Sequence, residues 1–335
     1  MKRRSFVQPA SLFALSLAGT KLISDFSTGT EAASALDIKQ INFGILSTES
    51  QANLRPLWEP FIAQMSKSIG VPIKPFYVTQ YAGVIEAMRF GKVQVAWYGG
   101  KSYIEAARIA NAEVFAQVVN TDGTKGYYSH LIMNKANPLT TQAKAMGGDK
   151  FVIKNASKLT FAFNDPNSTS GFLVPSYYIF AKNDVDPKKA FKRLVFAGNH
   201  EATALAVANN QVDVSTNSNE ILERLKKTNS SARQKLEVVW TSPVIPSDPI
   251  AYRKDLPEDL KKKFRNFFFN YKDSKILTPM GWGGFAAAQD KTWNAIRELD
   301  IAKQVLEIKN KDSLNEADKK KLNELNRQLQ ALQRG

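Results

Sequence analysis

Residues Leu159-Thr-Phe-Ala-Phe-Asn-Asp-Pro-Asn-Ser-Thr-Ser-Gly171 carry an apolar run into a polar turn, and Phe172 starts the next apolar run. The run from Leu159 to Asn164 has the length and composition of a buried strand, and Ser168 to Phe180 reads as the helix that follows it. Three hydroxyls and the free N–H groups of a helix start meet in this turn. The helix dipole and its orphan donors suit a tetrahedral oxyanion, and Gly171 keeps the backbone approachable. Ser and Thr are also ordinary N-caps, so taken alone the turn serves either an anion or the helix itself.

The same strand, turn and helix grammar repeats on both sides. Upstream, Ile41 to Leu46 is a short apolar run, and Leu54, Trp58, Phe61, Ile62 and Met65 share one face of a helix behind it. Pro72 to Val78 and Val93 to Tyr98 are the next strands, with helices expected over Tyr81 to Phe90 and Ser102 to Asn111. Val114 to Asn120 and Tyr127 to Asn134 read as strands joined across Asp122-Gly123, the second leading out of the first unit. A second α/β unit starts near Pro138. In it Leu194 to Ala197 enters a helix over His200 to Asn209, and Val212 to Ser215 enters one near Asn217. Val238 to Trp240 and Pro246 to Tyr252 are expected to return the chain to the first unit, ahead of a helix over Leu256 to Asn270. Alternating elements imply largely parallel sheets, and two crossings make a hinge with a ligand crevice at the strand ends.

With 335 residues the chain is long enough for two lobes, each with its own core, and 43% hydrophobic with 23% charged residues is a globular composition. The first residues read as an address. Arg3 and Arg4 precede Ser5-Phe6-Val7, an apolar stretch runs from Ala10 to Ala18, and Ala33-Ser34-Ala35 offers a cleavage site, placing the mature start near Leu36. This is a signal peptide of twin-arginine flavour; its apolar run is too short for a membrane anchor, which needs about 20 residues. The expected organisation is residues 1–35 for export, 36–136 as the first part of lobe 1, 137–239 as lobe 2, 240–300 as the return to lobe 1, and 301–335 as a C-terminal helical extension.

The formal net charge is +15; removing residues 1–35 takes away four basic and two acidic residues and leaves +13. Such a field favours an anionic partner, yet Lys and Arg are scattered and no basic helix interleaved with aromatics points to nucleic acid. Zero cysteines and two histidines remove Cys nucleophiles and thiolate metal sites. In the tail, Ser313-x-x-Glu316 reads as a capping box ahead of Leu322, Leu325, Leu329 and Leu332. That stripe fits a strap packed on lobe 1 or a homodimer contact.

The motif Asp165-Pro-Asn-Ser-Thr-Ser-Gly171 with Phe172-Leu-Val-Pro175 resembles the binding-protein component of phosphonate ABC transporters. Gly44-Ile-Leu-Ser-Thr-Glu-Ser50, Tyr81-Ala-Gly-Val-Ile85, Met88-Arg-Phe90, Ala96-Trp-Tyr-Gly99, His200-Glu201 and Ile245-Pro-Ser-Asp-Pro249 are similar to family motifs in the same order. The resemblance spans nearly the whole mature chain. It implies a type II periplasmic binding protein fold: two α/β lobes joined by a two-strand hinge, plus the C-terminal helix. It also implies a periplasmic location, an ABC permease as partner, and no catalysis, cofactor or metal.

Carried over residue by residue, the resemblance implies that Ser168, Thr169, Ser170, Tyr81, Tyr127 and His200 hold the phosphonate oxygens. It further implies that Glu220 and Asp248 receive the ammonium of 2-aminoethylphosphonate. Each has an ordinary alternative. The tyrosines suit half-buried core positions, a loop histidine is commonly structural, Asn217-x-x-Glu220 resembles a capping box, and Ser247-Asp248-Pro249 is a turn. His130, in an apolar strand, reads as structural. Gly99-Gly100-Lys101 stands where the family suggests a more polar loop, and Ser176 beside Pro175 in the helix is a second departure; both are expected to bear on packing rather than on the site. Competing readings are a binder of phosphite, phosphate or a sulfonate, and an enzyme on a two-lobed scaffold, which would lack nucleophilic and metal parts.

Overall fold

A computed structural model describes residues 38–334. The expected signal peptide and its cleavage site lie outside the described residues. Thirteen strands are numbered here in chain order: β1 (Ile41–Ile45), β2 (Ile73–Tyr77), β3 (Val95–Trp97), β4 (Ala112–Asn120), β5 (Gly126–Tyr127), β6 (Ser129–Asn134), β7 (Thr160–Phe163), β8 (Arg193–Phe196), β9 (Val214–Ser218), β10 (Leu236–Thr241), β11 (Ile245–Pro246), β12 (Pro249–Arg253) and β13 (Trp282–Ala287). They form three sheets: β13-β4-β12-β3-β1-β2 in lobe 1, β10-β6-β9-β7-β8 in lobe 2, and the short ribbon β11-β5 between them.

The sheets are mixed rather than largely parallel. Strands linked through helices pair in parallel, as β1 does with β2 and β3, and β7 with β8 and β9. Strands that enter or leave through the ribbon arrive from the other direction: β12 is antiparallel to β3 and β4, and β6 to β9 and β10. Those pairings also move the crossings. The expected strand Tyr127 to Asn134 is split at Tyr128, with Gly126–Tyr127 in the ribbon and Ser129–Asn134 already in lobe 2. Val238 and Trp240 pair with Ile132 and Leu131 in lobe 2, so the return follows Thr241 instead of starting before it. An apolar run reads the same in either lobe; only its pairing partner decides.

Lobe 1 closes over an aromatic core in which Trp58 stands 5.3 Å from Trp97 and 5.5 Å, edge-on, from Trp282. This rigid cluster lies directly under the cleft, because Trp97 and Trp282 also line it. Such aromatic pairs add about 0.5–1.5 kcal/mol each beyond burial, which fixes the floor of the site.

The tail forms two helices, Asn294–Lys309 and Glu316–Arg334. Leu325 is buried, and Leu322, Leu329 and Leu332 pack with it against Ile301, Val305 and Ile308. The leucine stripe is therefore used within the chain, against the preceding helix. Asn315, not Ser313, caps the last helix, accepting the Asp318 N–H at 2.9 Å. Among the described residues no helix is long and apolar enough to cross a membrane.

Candidate functional site

A narrow cavity of about 30 Å³ lies between the lobes, and all eight residues singled out in the sequence line it: Tyr81, Tyr127, Ser168, Thr169, Ser170, His200, Glu220 and Asp248. Lobe 1 contributes Tyr81, the ribbon Tyr127, and the segment joining ribbon to β12 Asp248. The other five come from lobe 2, at the carboxyl ends of β7, β8 and β9. That placement follows from strand direction, since parallel strands deliver every following helix start to one edge.

At the hydroxyl cluster, the chain leaves β7 through Asp165, whose Oδ1 accepts the Asn167 N–H at 2.7 Å, and enters a helix at Thr169. Ser168 caps it, its Oγ accepting the Gly171 N–H at 3.0 Å. The first N–H groups of that helix have no preceding turn to bond, and Ser168 satisfies one of them. The helix is wound with π-type spacing over Thr169–Leu173 and again over Ser176–Phe180. Gly171 has a different role from the one expected: a Cβ there would stand 2.3 Å from the Asn164 Cβ, so glycine serves strand-to-helix packing.

His200 opens the helix His200–Ala208, capped by Asn199, and its Nε2 lies 3.3 Å from the Ser170 hydroxyl. Burial, then the Arg224 charge, pushes its pKa down to about 3, so the imidazole is neutral and carries one N–H. Both phenols stay protonated as well. Burial, then the Asp165 and Asp248 carboxylates, raises Tyr81 well above the usual range; burial, then Asp248 and Glu220, does the same for Tyr127. The hydroxyl, phenol and imidazole lining of the cavity is thus neutral.

The two carboxylates are different in kind. Glu220 stands in the first turn of the helix Asn219–Thr228, whose cap is Ser218 at 3.4 Å from the Ile221 N–H. The capping-box alternative for Glu220 is not realised. Asn217 instead donates to the His200 carbonyl at 2.8 Å. Burial raises the Glu220 pKa, with Arg224 opposing; burial and then Glu220 raise Asp248 well above the carboxylate range. Asp248 Oδ1 is shielded and has no protein hydrogen-bond partner, and the same holds for Thr48 Oγ1, Trp97 Nε1 and His200 Nδ1 on the cavity wall. Buried polar atoms are rarely left so, and four around one cavity mark a place for a polar guest.

Lobe 2 also completes the starts of three lobe-1 helices. Ser50, Gln80 and Gly99, which precede Gln51–Ile69, Tyr81–Arg89 and Gly100–Ile109, provide no side-chain cap of their own. Across the cleft, Glu201 accepts from the Ser50 N–H at 2.6 Å and from Asn53 Nδ2 at 2.9 Å, Asp165 accepts from the Tyr81 N–H at 3.2 Å, and Thr169 Oγ1 accepts from the Lys101 N–H at 2.9 Å. Arg224 Nε donates to Glu49 Oε2 at 2.7 Å. The Gly99-Gly100-Lys101 departure therefore does reach the site, since Gly99 lines the cavity and Lys101 holds Thr169.

Sequence reasoning missed Glu49, Thr48, Trp97, Glu201 and Arg224. Arg224 was findable, because it lies one helical turn from Glu220 on the same face. The partners of Glu201 and Glu49 lie 148 to 175 residues away in the chain and carry no local signal.

Two lobes clamped over a cavity lined by neutral donors and by two carboxylates define a solute-binding protein, a molecule that closes on a small ligand. The family described as "ABC transporter, phosphonate, periplasmic substrate-binding protein" matches residues 43–293, and the chain belongs to it. It is 45% identical over 324 residues to a phosphonates-binding periplasmic protein of Escherichia coli, covering 95% of this chain and 93% of that one. A solved binding-protein component of an ABC phosphonate transporter from Pseudomonas aeruginosa superposes with a TM-score of 0.82 at 44% identity, covering 88% of this chain and 97% of that one. A Prochlorococcus marinus protein solved with methylphosphonate gives a TM-score of 0.67 at 25% identity, over 78% and 97% of the two chains. The chain is a periplasmic phosphonate-binding component of an ABC transporter. Its relatives are transport proteins rather than enzymes.

Proposed function

We propose that the ligand is 2-aminoethylphosphonate or a closely related amino-bearing alkylphosphonate, trapped by hinge closure and passed to the permease. The phosphonate oxygens lie against Ser168, Thr169 and Ser170, the Tyr81 and Tyr127 phenols and the His200 imidazole. Neutral donors satisfy a desolvated dianion while leaving release possible. Glu220 and Asp248 receive the ammonium.

One observation carries the reading: two buried carboxylates, Glu220 and Asp248, line the same cavity with burial-raised pKa values, and Asp248 Oδ1 lacks a protein partner. A cation placed there restores both to their charged form. Methylphosphonate, phosphite or phosphate brings no cation, and leaving the pair uncompensated in a closed cleft costs roughly 2–5 kcal/mol of affinity. Calorimetry on residues 36–335 with 2-aminoethylphosphonate, methylphosphonate, phosphite and phosphate tests this. The amino compound binds most tightly, and Glu220→Ala removes that advantage; equal affinities for the amino compound and methylphosphonate in the unaltered protein would overturn the assignment.

A further inference from the structure

Arg224 lines the same cavity as Glu220 and Asp248 and lies four residues beyond Glu220 on one helix, the spacing at which a guanidinium and a carboxylate pair most readily. Among the described residues its ion-pair partner is nevertheless Glu49, at 2.7 Å, from the loop that follows β1 in lobe 1. The contact is well buried, with the Glu49 side chain 2% and the Arg224 side chain 14% exposed. A second, longer contact runs from Arg224 to the Met280 carbonyl at 3.5 Å, also in lobe 1. The guanidinium is thus drawn off its own helix and across the cleft. Glu49 is fixed there by its neighbours, since the Thr48 carbonyl accepts from the His200 N–H at 3.1 Å and the Ser50 N–H is held by Glu201.

We propose that Glu49 is a specificity-determining positioning residue: by taking the Arg224 guanidinium as the lobes shut, it keeps Arg224 from neutralising Glu220 and reserves the Glu220–Asp248 pair for a ligand cation. The inference rests on the amino-bearing ligand proposed above. When the lobes part, Glu49 and Arg224 separate, and Arg224 falls back to its helical neighbour Glu220. Closure exchanges one partner for the other. Without Glu49 the guanidinium stays on Glu220 in the closed form as well, where it occupies the place of the ligand's ammonium and supplies the positive charge that a plain alkylphosphonate lacks.

This gives opposite signs for two ligands, which a simple latch does not. Calorimetry on Glu49→Gln is expected to show 2-aminoethylphosphonate weakened by tenfold or more, with methylphosphonate unchanged or tighter. The double variant Glu49→Gln/Arg224→Met, which removes both charges together, is expected to restore the preference for the amino compound even where absolute affinities fall. Thermal melting of each variant reports folding separately, and the double variant carries the test if Glu49→Gln does not fold. Parallel losses for both ligands in Glu49→Gln, or a double variant as indiscriminate as the single one, would overturn the proposal. A wild-type protein without preference for the amino compound would instead sink the ammonium reading beneath it, so the two failures are separable.

Discussion

Asp165, in the turn after β7 of lobe 2, accepts the backbone N–H of Tyr81, the first residue of a lobe-1 helix, at 3.2 Å. The relationship recurs twice, with Glu201 on Ser50 and Thr169 on Lys101. Helix starts carry N–H groups with no partner in their own helix, and the residues preceding these three provide no side-chain acceptor. In the closed form lobe 2 supplies the caps. Glu201 reproduces from another lobe what the glutamate of a capping box does locally, reaching the N–H of the cap residue. Closure is thereby worth something independent of ligand chemistry.

Removing one such cap weakens every ligand alike. A lost helix cap costs about 0.5–2 kcal/mol, so Glu201→Ala is expected to lower affinity for 2-aminoethylphosphonate and for methylphosphonate by a common factor of about 2 to 30. The ligand-free protein, which does not depend on a contact between lobes, melts within a degree or two of wild type. Calorimetry with both ligands and a melting curve check the pair of expectations, and a loss confined to one ligand counts against the cap.

Gly99→Ala tests the same closure by steric means. A Cβ at Gly99 stands 3.2 Å from Thr169 Oγ1 and 3.8 Å from Asp248 Oδ1, tight against a hydroxyl that itself caps the Lys101 N–H. Overpacking of this kind costs about 1–3 kcal/mol, so roughly tenfold weaker binding of both ligands is expected, read by calorimetry. An unchanged affinity means that Thr169 has room to move aside.

How far the sequence carries this molecule is instructive at particular residues. The turn Asn164 to Gly171 and the starts at His200 and Glu220 are local patterns, a strand end and a helix start within a few residues, and all arrive at one cavity. The position of β6 in lobe 2 and the point at which the chain leaves β10 were not legible, because an apolar run fits either sheet and only pairing assigns it. Ser218 took the cap from Asn217, since both are good cap residues one position apart. The Glu49–Arg224 and Glu201–Ser50 contacts join residues 175 and 151 apart, and no periodicity or spacing rule reaches that far.

His200 sets a pH limit common to all ligands. Its closed-form pKa is about 3 against the ordinary 6.5, so between those values the parted lobes bind more protons at this site than the closed form. The stabilisation of the empty closed form is complete above about pH 6.5 and is lost as pH falls toward 3; a phosphonate dianion on the imidazole pulls that pKa back up, so affinity falls more shallowly than about tenfold per pH unit across the window. In His200→Gln that slope disappears. Titrations of one ligand at pH 5 to 8, expressed as the ratio of wild type to variant, isolate the histidine from the ligand's own ionisation. A ratio that does not vary with pH shows that His200 is as protonated in the closed form as in the open one.

Asp248 predicts a pH dependence of the opposite sign, and for one ligand class only. Its pKa in the closed cavity is raised well above 3.8 by burial and by Glu220, so closure without a cation takes up a proton there. Binding of methylphosphonate is then favoured below the ordinary carboxylate range and loses strength as pH rises toward the raised value. An ammonium beside the pair pulls that pKa back down, closure no longer needs the proton, and the amino compound shows no such decline. Asp248→Asn, uncharged at every pH, removes the decline for methylphosphonate, so its affinity relative to wild type grows as pH is raised from 5 to 8. The measurement is calorimetry of each ligand on both proteins, with the same-ligand ratio cancelling phosphonate ionisation. A ratio that rises equally for the two ligands means the ammonium does not sit beside Asp248, and a flat ratio for both means the carboxylate stays solvated on closure.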